Sequence, residues 1–581
     1  MAYLRTEYPR PQFQRENWLP LNGEWQFAYD DDDSGIKRGL YTGKKDLPLK
    51  INVPFSYQYE ASGIGDTAVH NTVWYKRNFT ADKKNGRAIL CFNGCDYITD
   101  VWVNGLHAVS HKGAYAPFNA DITDLIRTGE NTLVVRCFDS LDPTQPRGKQ
   151  SWTGAHYGCW YIPNTGIWQS VWLEYAGDDY IDGYSLLPDT DRCAFYGDIK
   201  TKFALADSLE ITVSYEGNVV KKTKFSLDGK YTRFTINLMD LNFVDETFLW
   251  QPNFPKLFYF TFELYLGNKK VDCAKTRAGL RKISVDSEGT ICLNNCKFYQ
   301  RLILDQGYWK ESGITPPSVE AIKKDIELCK AMGFNGARKH QKFEDPYFYY
   351  YAEELGFVTW CEMPSAYNFN ADEIANVTNE WQEIIAVAKN FTSNICYVPL
   401  NESWGTRKIV VDETQQNFAR SLYYLTKAAD KTKLVSTNDG WENLDATDIL
   451  SIHDYSYDSS KFDEMYTPDN LSKLYPATRK LIADGNEYFG QPMLLTEFGG
   501  IAMKVDAKGE SWGYGAGAES EEEFLTRYKN LLKGIYAHKY LQGFCYTQIS
   551  DVQQEVNGLL TPDRKPKFTV EKVKGITEGK F

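Results

Sequence analysis

Apolar and polar positions alternate in short runs along the first 180 residues. "EWQFAY", "TVWYKRNF", "RAILCF", "ITDVWVNG", "NTLVVRCF" and "SVWLEY" follow one another, separated by clusters of turn residues. A period of two sends successive side chains to opposite faces of a strand. Many short strands with Gly, Asn and Asp between them predict a β-sandwich or jelly roll over residues 1–180. Residues 181–282 continue in this style with "GDIKTKFAL", "LEITVSYEG", "YTRFTINL" and "LFYFTFELYLG". About a hundred residues of such strands predict an immunoglobulin-like β-sandwich. "FLWQPNFPKLF", with its two prolines, reads as a loop near the end of that segment.

From residue 283 the period changes. "SVEAIKKDIELCKAMGFN" sets Val319, Ile322, Ile326 and Cys329 on one helical face. Ser318 can cap that helix after Pro316 and Pro317, and Gly333 can close it. Strand-like runs alternate with helical ones: "YQRLIL", "FNGAR", "FVTWC", "ICYVPL", "LVSTN", "ILSIH", "MLLTE" and "GFCYT". Eight strands with room for a helix in most gaps predict a (β/α)8 TIM barrel over residues 283–581.

Active sites of this fold lie at the C-terminal ends of the strands. In "ICYVPLNESWG" an apolar run ends abruptly in Asn401 and Glu402. An unpaired buried carboxylate is costly, so Glu402 reaches water, has a partner, or does chemistry. The same device recurs with Arg338 and His340, with Glu362, with Asn438 and Asp439, with His453, Asp454 and Tyr455, and with Glu497. So many polar strand ends suggest one lined pocket, against the plainer reading of a mixed salt-bridge network.

Composition narrows the classes. The 581 residues exceed one core and suit about three domains. A net charge of −12 makes nucleic acid or an anionic membrane a poor partner. No 18-residue apolar run and no signal-peptide h-region are seen, so a cytoplasmic protein is expected. The 12 cysteines form no CxxC pair, and Cys329, Cys361, Cys396 and Cys545 fall in apolar patterns, which suggests buried reduced thiols. None of the 7 histidines has metal-ligand spacing, so no metal and no cofactor are expected.

Glu402 and Glu497, on the fourth and seventh strands, face each other across the predicted mouth. Paired carboxylates suit glycoside hydrolysis: one protonates the leaving oxygen and the other attacks or supports the oxocarbenium-like centre. Trp309, Trp360, Trp404 and Trp441 are candidates for stacking on a sugar, with core or rim packing as the alternative.

The sequence resembles glycoside hydrolase family 2, which includes β-galactosidases, β-glucuronidases and β-mannosidases. "LNGEWQF", "VWVNGLHAVSHKGAYAPFNADITDLIRTGENTLVVRCFD" and "NTGIWQSVWLE" resemble its N-terminal sugar-binding domain. "GFNGARKHQKFEDPYFYYYAEELGFVTWCEMP" resembles its barrel through strands two and three, "PLNESWG" its acid/base motif and "LLTEFGG" its nucleophile motif. The resemblance implies that Glu402 is the general acid/base, with a pKa lifted while the nucleophile is charged. It implies that Glu497 is the nucleophile, that Asn401 binds the sugar 2-hydroxyl, and that Tyr455 hydrogen-bonds the nucleophile. His340 matches a family histidine in a neighbourhood that departs from the pattern, and Tyr546 stands where many members have a tryptophan under the sugar. Arg338, Asp305, Glu362, Asp439, Trp441, His453, Asp454 and Trp404 complete the candidate substrate-binding set.

The family's glucuronidases carry an Asn-x-Lys motif before a stretch like "DRKPK". Here those positions read Glu555, Val556 and Asn557. The missing lysine argues against glucuronides, and a neutral β-hexoside, galactoside first, is expected. Arg338, with Lys339, is the alternative clamp that a uronidase would need, unless Arg338 simply pairs with Glu362. The expected partner is a β-glycoside, small or oligosaccharide, and the expected assembly a homo-oligomer. A non-catalytic carbohydrate-binding protein is a second class. An acyl-transfer hydrolase is disfavoured, because no GxSxG elbow is present.

Overall fold

The structure is a computed structural model that describes residues 4–83, 86–239, 248–503, 511–515 and 517–581. The alternating runs of the N-terminal segment become two antiparallel sheets. The larger has the order Leu49–Val53, Gly23–Tyr29, Thr72–Ala81, Gly129–Phe138, Ile98–Val103 and Leu106–Lys112; the smaller has Trp18–Pro20, Val171–Ala176, Arg87–Phe92 and Phe118–Asp121. Every second residue points inward: Val73 and Tyr75, Leu133 and Val135, Leu90 and Phe92, and Val171 and Leu173 share one core. The following sandwich pairs Ile181–Asp189, Ala194–Thr201 and Tyr231–Asn237 against Asn218–Ser226, Ser208–Tyr215, Phe258–Leu266 and Lys269–Ala278. Phe195, Ile211, Phe234 and Phe260 fill its interior.

The eight expected barrel runs are eight parallel strands. They are β1 (Gln300–Asp305), β2 (Gly336–Lys339), β3 (Val358–Glu362), β4 (Asn394–Val398), β5 (Leu434–Val435), β6 (Leu450–Asp454), β7 (Met493–Gly499) and β8 (Leu541–Thr547). Their order is β5-β4-β3-β2-β1-β8-β7-β6. Short extensions, Leu400–Asn401 and Asn438–Asp439, carry the fourth and fifth strands onward as a parallel pair. The ring meets itself where His453 N donates to Gly440 O at 3.0 Å. Helices Val319–Ala331, Pro346–Leu355, Ala371–Ala388, Glu413–Ala429 and Glu521–Ala537 occupy gaps between strands. The first begins where Ser318 Oγ accepts from Ala321 N, and Gly333 takes φ +90° just beyond its end.

Strand alternation decides what faces the barrel axis. Leu302, Leu304, Trp360, Cys396, Val398, Leu494 and Cys545 fill one cluster, while Ile303, Cys361, Tyr397, Leu495 and Tyr546 join another with residues of the surrounding helices. Cys329, Cys361, Cys396 and Cys545 are buried free thiols. Among the described residues no helix is long and apolar enough to cross a membrane.

Candidate active site

Arg338 is the hub of the mouth. It is fully buried, and its guanidinium is used on every side. Nε donates to Glu362 Oε2 (2.9 Å), Nη1 to Glu497 Oε1 (3.0 Å) and to Thr496 O (3.1 Å), and Nη2 to Asn401 Oδ1 (2.5 Å). Asp439 Oδ1 lies 3.2 Å from Nη1. A planar fork suits this many acceptors. Burial pushes the Glu362 carboxyl up to about 7, with Arg338 opposing and Asp439 adding to the rise.

His453 links the other acids. Nδ1 lies 2.8 Å from Glu402 Oε1 and Nε2 lies 2.8 Å from Asp439 Oδ1, with Glu497 Oε1 at 3.5 Å. Burial lowers its pKa, but Glu497, Asp439 and Glu402 outweigh burial and raise it to about 9. Conversely, burial raises the Glu402 pKa, but the hydrogen bond and charge of His453 outweigh it and bring the carboxyl down to about 2. The resemblance implied a lifted Glu402 in this state. The difference is the imidazolium placed against it.

The turn that presents Glu402 is unusual backbone. Glu402 and Ser403 take φ of 51° and 54°. Non-glycine residues adopt this region at a cost that neighbouring structure must offset. The braces are Glu402 N to Asp439 O (2.8 Å), Ser403 N to Asn438 Oδ1 (2.9 Å) and Trp404 N to Asn401 O (3.0 Å). They aim the Glu402 carboxylate so that one of its oxygens comes within 4.8 Å of one of Glu497. Tyr455 Oη donates to Glu497 Oε2 at 2.5 Å, and the Tyr514 ring stacks on Tyr455 with centroids 3.4 Å apart.

Of the predicted residues, Arg338, His340, Glu362, Asn401, Glu402, Asp439, His453, Tyr455 and Glu497 come together. His340 Nδ1 sits 3.1 Å from Glu362 Oε1, and burial and Arg338 hold its pKa well below the usual range. Trp404 Nε1 donates to Glu402 Oε2 at 3.3 Å, and Trp441 sets its edge on His453 at 5.5 Å. Three residues stand apart, for the same reason of alternation. Asp305 pairs with Lys339 Nζ at 2.6 Å. Asp454 accepts from Tyr466 Oη and from Ser456 N. Tyr546 packs on Phe498 and on Tyr528 of the helix Glu521–Ala537. Trp360 is buried in the barrel with Nε1 on Gln300, and Trp309 lies under Arg564.

Sequence reasoning missed a contribution from the first sandwich. The Arg147 and Gly148 amides both donate to Ser365 O, at 2.9 and 3.0 Å, just after β3. Gly148 has φ +59°, and a Cβ there would meet Gln341 O at 2.2 Å, so glycine alone lets this chain lie on the mouth. Trp160 follows, its ring 4.9 Å from Trp404, and Tyr161 Oη donates to Glu555 Oε2 at 2.6 Å. The aromatic-rich "SWTGAHYGCWY" was the available signal.

Glu402, His453 and Glu497 are a group whose donor atoms could converge on an ion. Both ring nitrogens of His453 are already in contact with carboxylates, Nδ1 with Glu402 and Nε2 with Asp439. The charge pairs also carry a prediction. His453 is raised above an unfolded value near 6.5, so its stabilisation is complete below about 6.5 and lost as pH rises through about 9. The expected loss is about 3 kcal/mol at most. Barrel unfolding measured at pH 6.5 and 9.5 should show it, and His453→Gln should remove the His453 share of the difference.

The fold and site define a class: two sandwiches followed by a barrel whose mouth carries opposed carboxylates. Residues 19–173 match the family model for the sugar-binding domain of family 2 glycosyl hydrolases. A putative β-glucuronidase of Formosa agariphila is 23% identical over 76% of this chain and 54% of its own length. A β-galactosidase of Bacteroides ovatus is 25% identical over 62% and 43%. The chain thus spans about half the length of these relatives. A β-glucuronidase of Paenibacillus borealis is 22% identical over 96% of both chains. Among solved structures, β-glucuronidase from Ruminococcus gnavus superposes with TM-score 0.78 at 20% identity, covering 98% of each chain. A β-galacturonidase from Eisenbergiella tayi, solved bound to galacturonate, gives 0.75 at 21% over 100% of this chain and 99% of its own. At these identities the structural likeness is one of fold.

Proposed function

We propose that the chain is a retaining, exo-acting β-glycosidase. The observation that carries this is the approach of Glu402 and Glu497 oxygens to within 4.8 Å. Retaining enzymes hold their carboxyl groups about 5–5.5 Å apart, and inverting ones about 6.5–9.5 Å. Glu497 is the nucleophile, aimed by Arg338 and Tyr455. Glu402 is the acid/base. In the unliganded centre its Oε1 lies 2.8 Å from His453 Nδ1. Asn401 accepts from Arg338 through Oδ1 and keeps a buried, unpartnered Nδ2, which suits a donor to the sugar 2-hydroxyl. The side chain of Glu497 is 5% exposed and that of Glu402 17%, a recess that suits one terminal sugar. The first sandwich, which ends near residue 180, sets Trp160 against Trp404 beside the recess, and the second runs from there to near residue 282.

For the sugar, the relatives include both β-galactosidases and β-glucuronidases. A neutral β-hexoside, galactoside first, is supported by Glu555 and by the engagement of Arg338 with Glu362 and Glu497, which leaves it no free fork for a substrate carboxylate. Lys339 is likewise held by Asp305 and Glu344. A uronide is supported by a different cation, treated below. A panel of aryl β-galactoside, β-glucoside, β-glucuronide and β-galacturonide tests the proposal. Turnover with a β-configured first product is expected. No turnover on a wider panel by folded protein would favour the carbohydrate-binding class instead.

A further inference from the structure

Five lysines are buried among the described residues: Lys76, Lys149, Lys339, Lys342 and Lys433. Four have a carboxylate: Lys76 has Asp46 at 2.7 Å, Lys339 has Asp305 at 2.6 Å, Lys342 has Glu344 at 2.7 Å, and Lys433 has Asp430 at 2.6 Å. Lys149, only 8% exposed, makes no ion pair among the described residues. A buried ammonium without a counter-charge in contact is costly. Its position is also built. The Gly148 turn sets it on the barrel mouth, and its own carbonyl accepts from Tyr161 N at 2.8 Å. Its Nζ lies 6.0 Å from the centroid of the Trp160 ring, the ring that packs on Trp404 beside Glu402.

The groups acting on this ammonium are those of the mouth. Burial lowers its pKa, and Cys159, Glu555, Glu402 and Glu497 together outweigh burial, so Lys149 stays charged. The Cys159 thiol lies against it, a weak acceptor. Glu555 is already engaged: Tyr161 Oη and Gln306 Nε2 donate to Oε2, at 2.6 and 3.4 Å, and Asn557 Nδ2 to Oε1 at 3.0 Å. Lys149 therefore has ammonium protons with no carboxylate to take them, in a recess that the proposed chemistry opens to a sugar. The expectation of a neutral sugar weighs Glu555 and the engaged Arg338 and Lys339, and leaves out Lys149, which lies some 400 residues from Glu555 in the chain.

Resting on the glycosidase reading above, we propose that Lys149 is a specificity-determining residue whose ammonium receives a carboxylate on the terminal sugar. The chain then prefers a β-uronide over the matching neutral hexoside. The clamp comes from the first sandwich rather than from the barrel tail.

The test is kcat/KM for aryl β-glucuronide, β-galacturonide, β-glucoside and β-galactoside with wild type, Lys149→Met and Lys149→Arg. At least one uronide is expected to exceed its neutral partner in wild type. Lys149→Met should lower that ratio by about tenfold or more, and Lys149→Arg should keep most of it. A wild type that prefers the neutral sugar, or a ratio unmoved in Lys149→Met, overturns the inference while leaving the glycosidase reading intact. No turnover of any substrate overturns that reading and the role of Lys149 with it. Should Lys149→Met fail to fold, inhibition of wild type by free uronic acids against galactose and glucose decides: weaker inhibition by the acids overturns the inference.

Discussion

Glu497→Gln should lose turnover by about 10⁴-fold or more while the barrel stays folded. The amide is nearly isosteric, so Tyr455 can still donate to its oxygen, and Arg338 keeps Glu362, Asp439 and Asn401. What disappears is the anion that would form the glycosyl-enzyme bond. Loss of fold would show in the unfolding transition, whereas loss of the nucleophile leaves that transition and sugar binding in place. A 2-deoxy-2-fluoro glycoside with a good leaving group should trap the intermediate, because the fluorine slows both steps while the good leaving group keeps formation faster than breakdown. Digestion should find the added mass on the peptide containing Glu497. A label on any other carboxylate, Glu362 included, would assign the nucleophile elsewhere.

The fold was legible where one face of an element is buried. The eight barrel strands are apolar on both faces or end in polar groups, and all eight were found. Asn218–Ser226 and Lys269–Ala278 were not singled out, because lysines break their alternation: the first is largely exposed, and neighbouring charges mask the pattern. The site was legible as a set of strand ends, but strand ends include both faces. Arg338 and Lys339 are neighbours in sequence, yet one turns to Glu362 and Glu497 and the other to Asp305. The period of two separates them, as it separates His453 from Asp454. Charge state was not legible. His453 was visible as a candidate, but its effect on Glu402 depends on a 2.8 Å contact across 51 residues of chain. Lys149 and Tyr161 lay beyond reach for the same reason: a loop of one domain completes the mouth of another.

Glu402→Ala should separate substrates by their leaving groups. Protonation of the departing oxygen matters little for a dinitrophenolate and greatly for an alkoxide, and general acid catalysis contributes about 10²–10⁴-fold. The loss in kcat/KM should therefore be small for activated aryl glycosides and approach that range for alkyl glycosides. Deglycosylation should slow for every substrate, because water loses its base, so the intermediate accumulates and KM falls with kcat. The truncation also leaves a space beside His453, which remains a cation through its contact with Asp439 Oδ1 at 2.8 Å. A small anion is drawn there by that charge and needs no base to attack. Added azide should raise kcat for activated substrates and give the β-glycosyl azide, since it enters on the face that the leaving group vacated. Formate in the same place would restore the natural product instead. Equal losses across all leaving groups, with no azide product, would move the acid/base role away from Glu402, and His453 would be the next group to test.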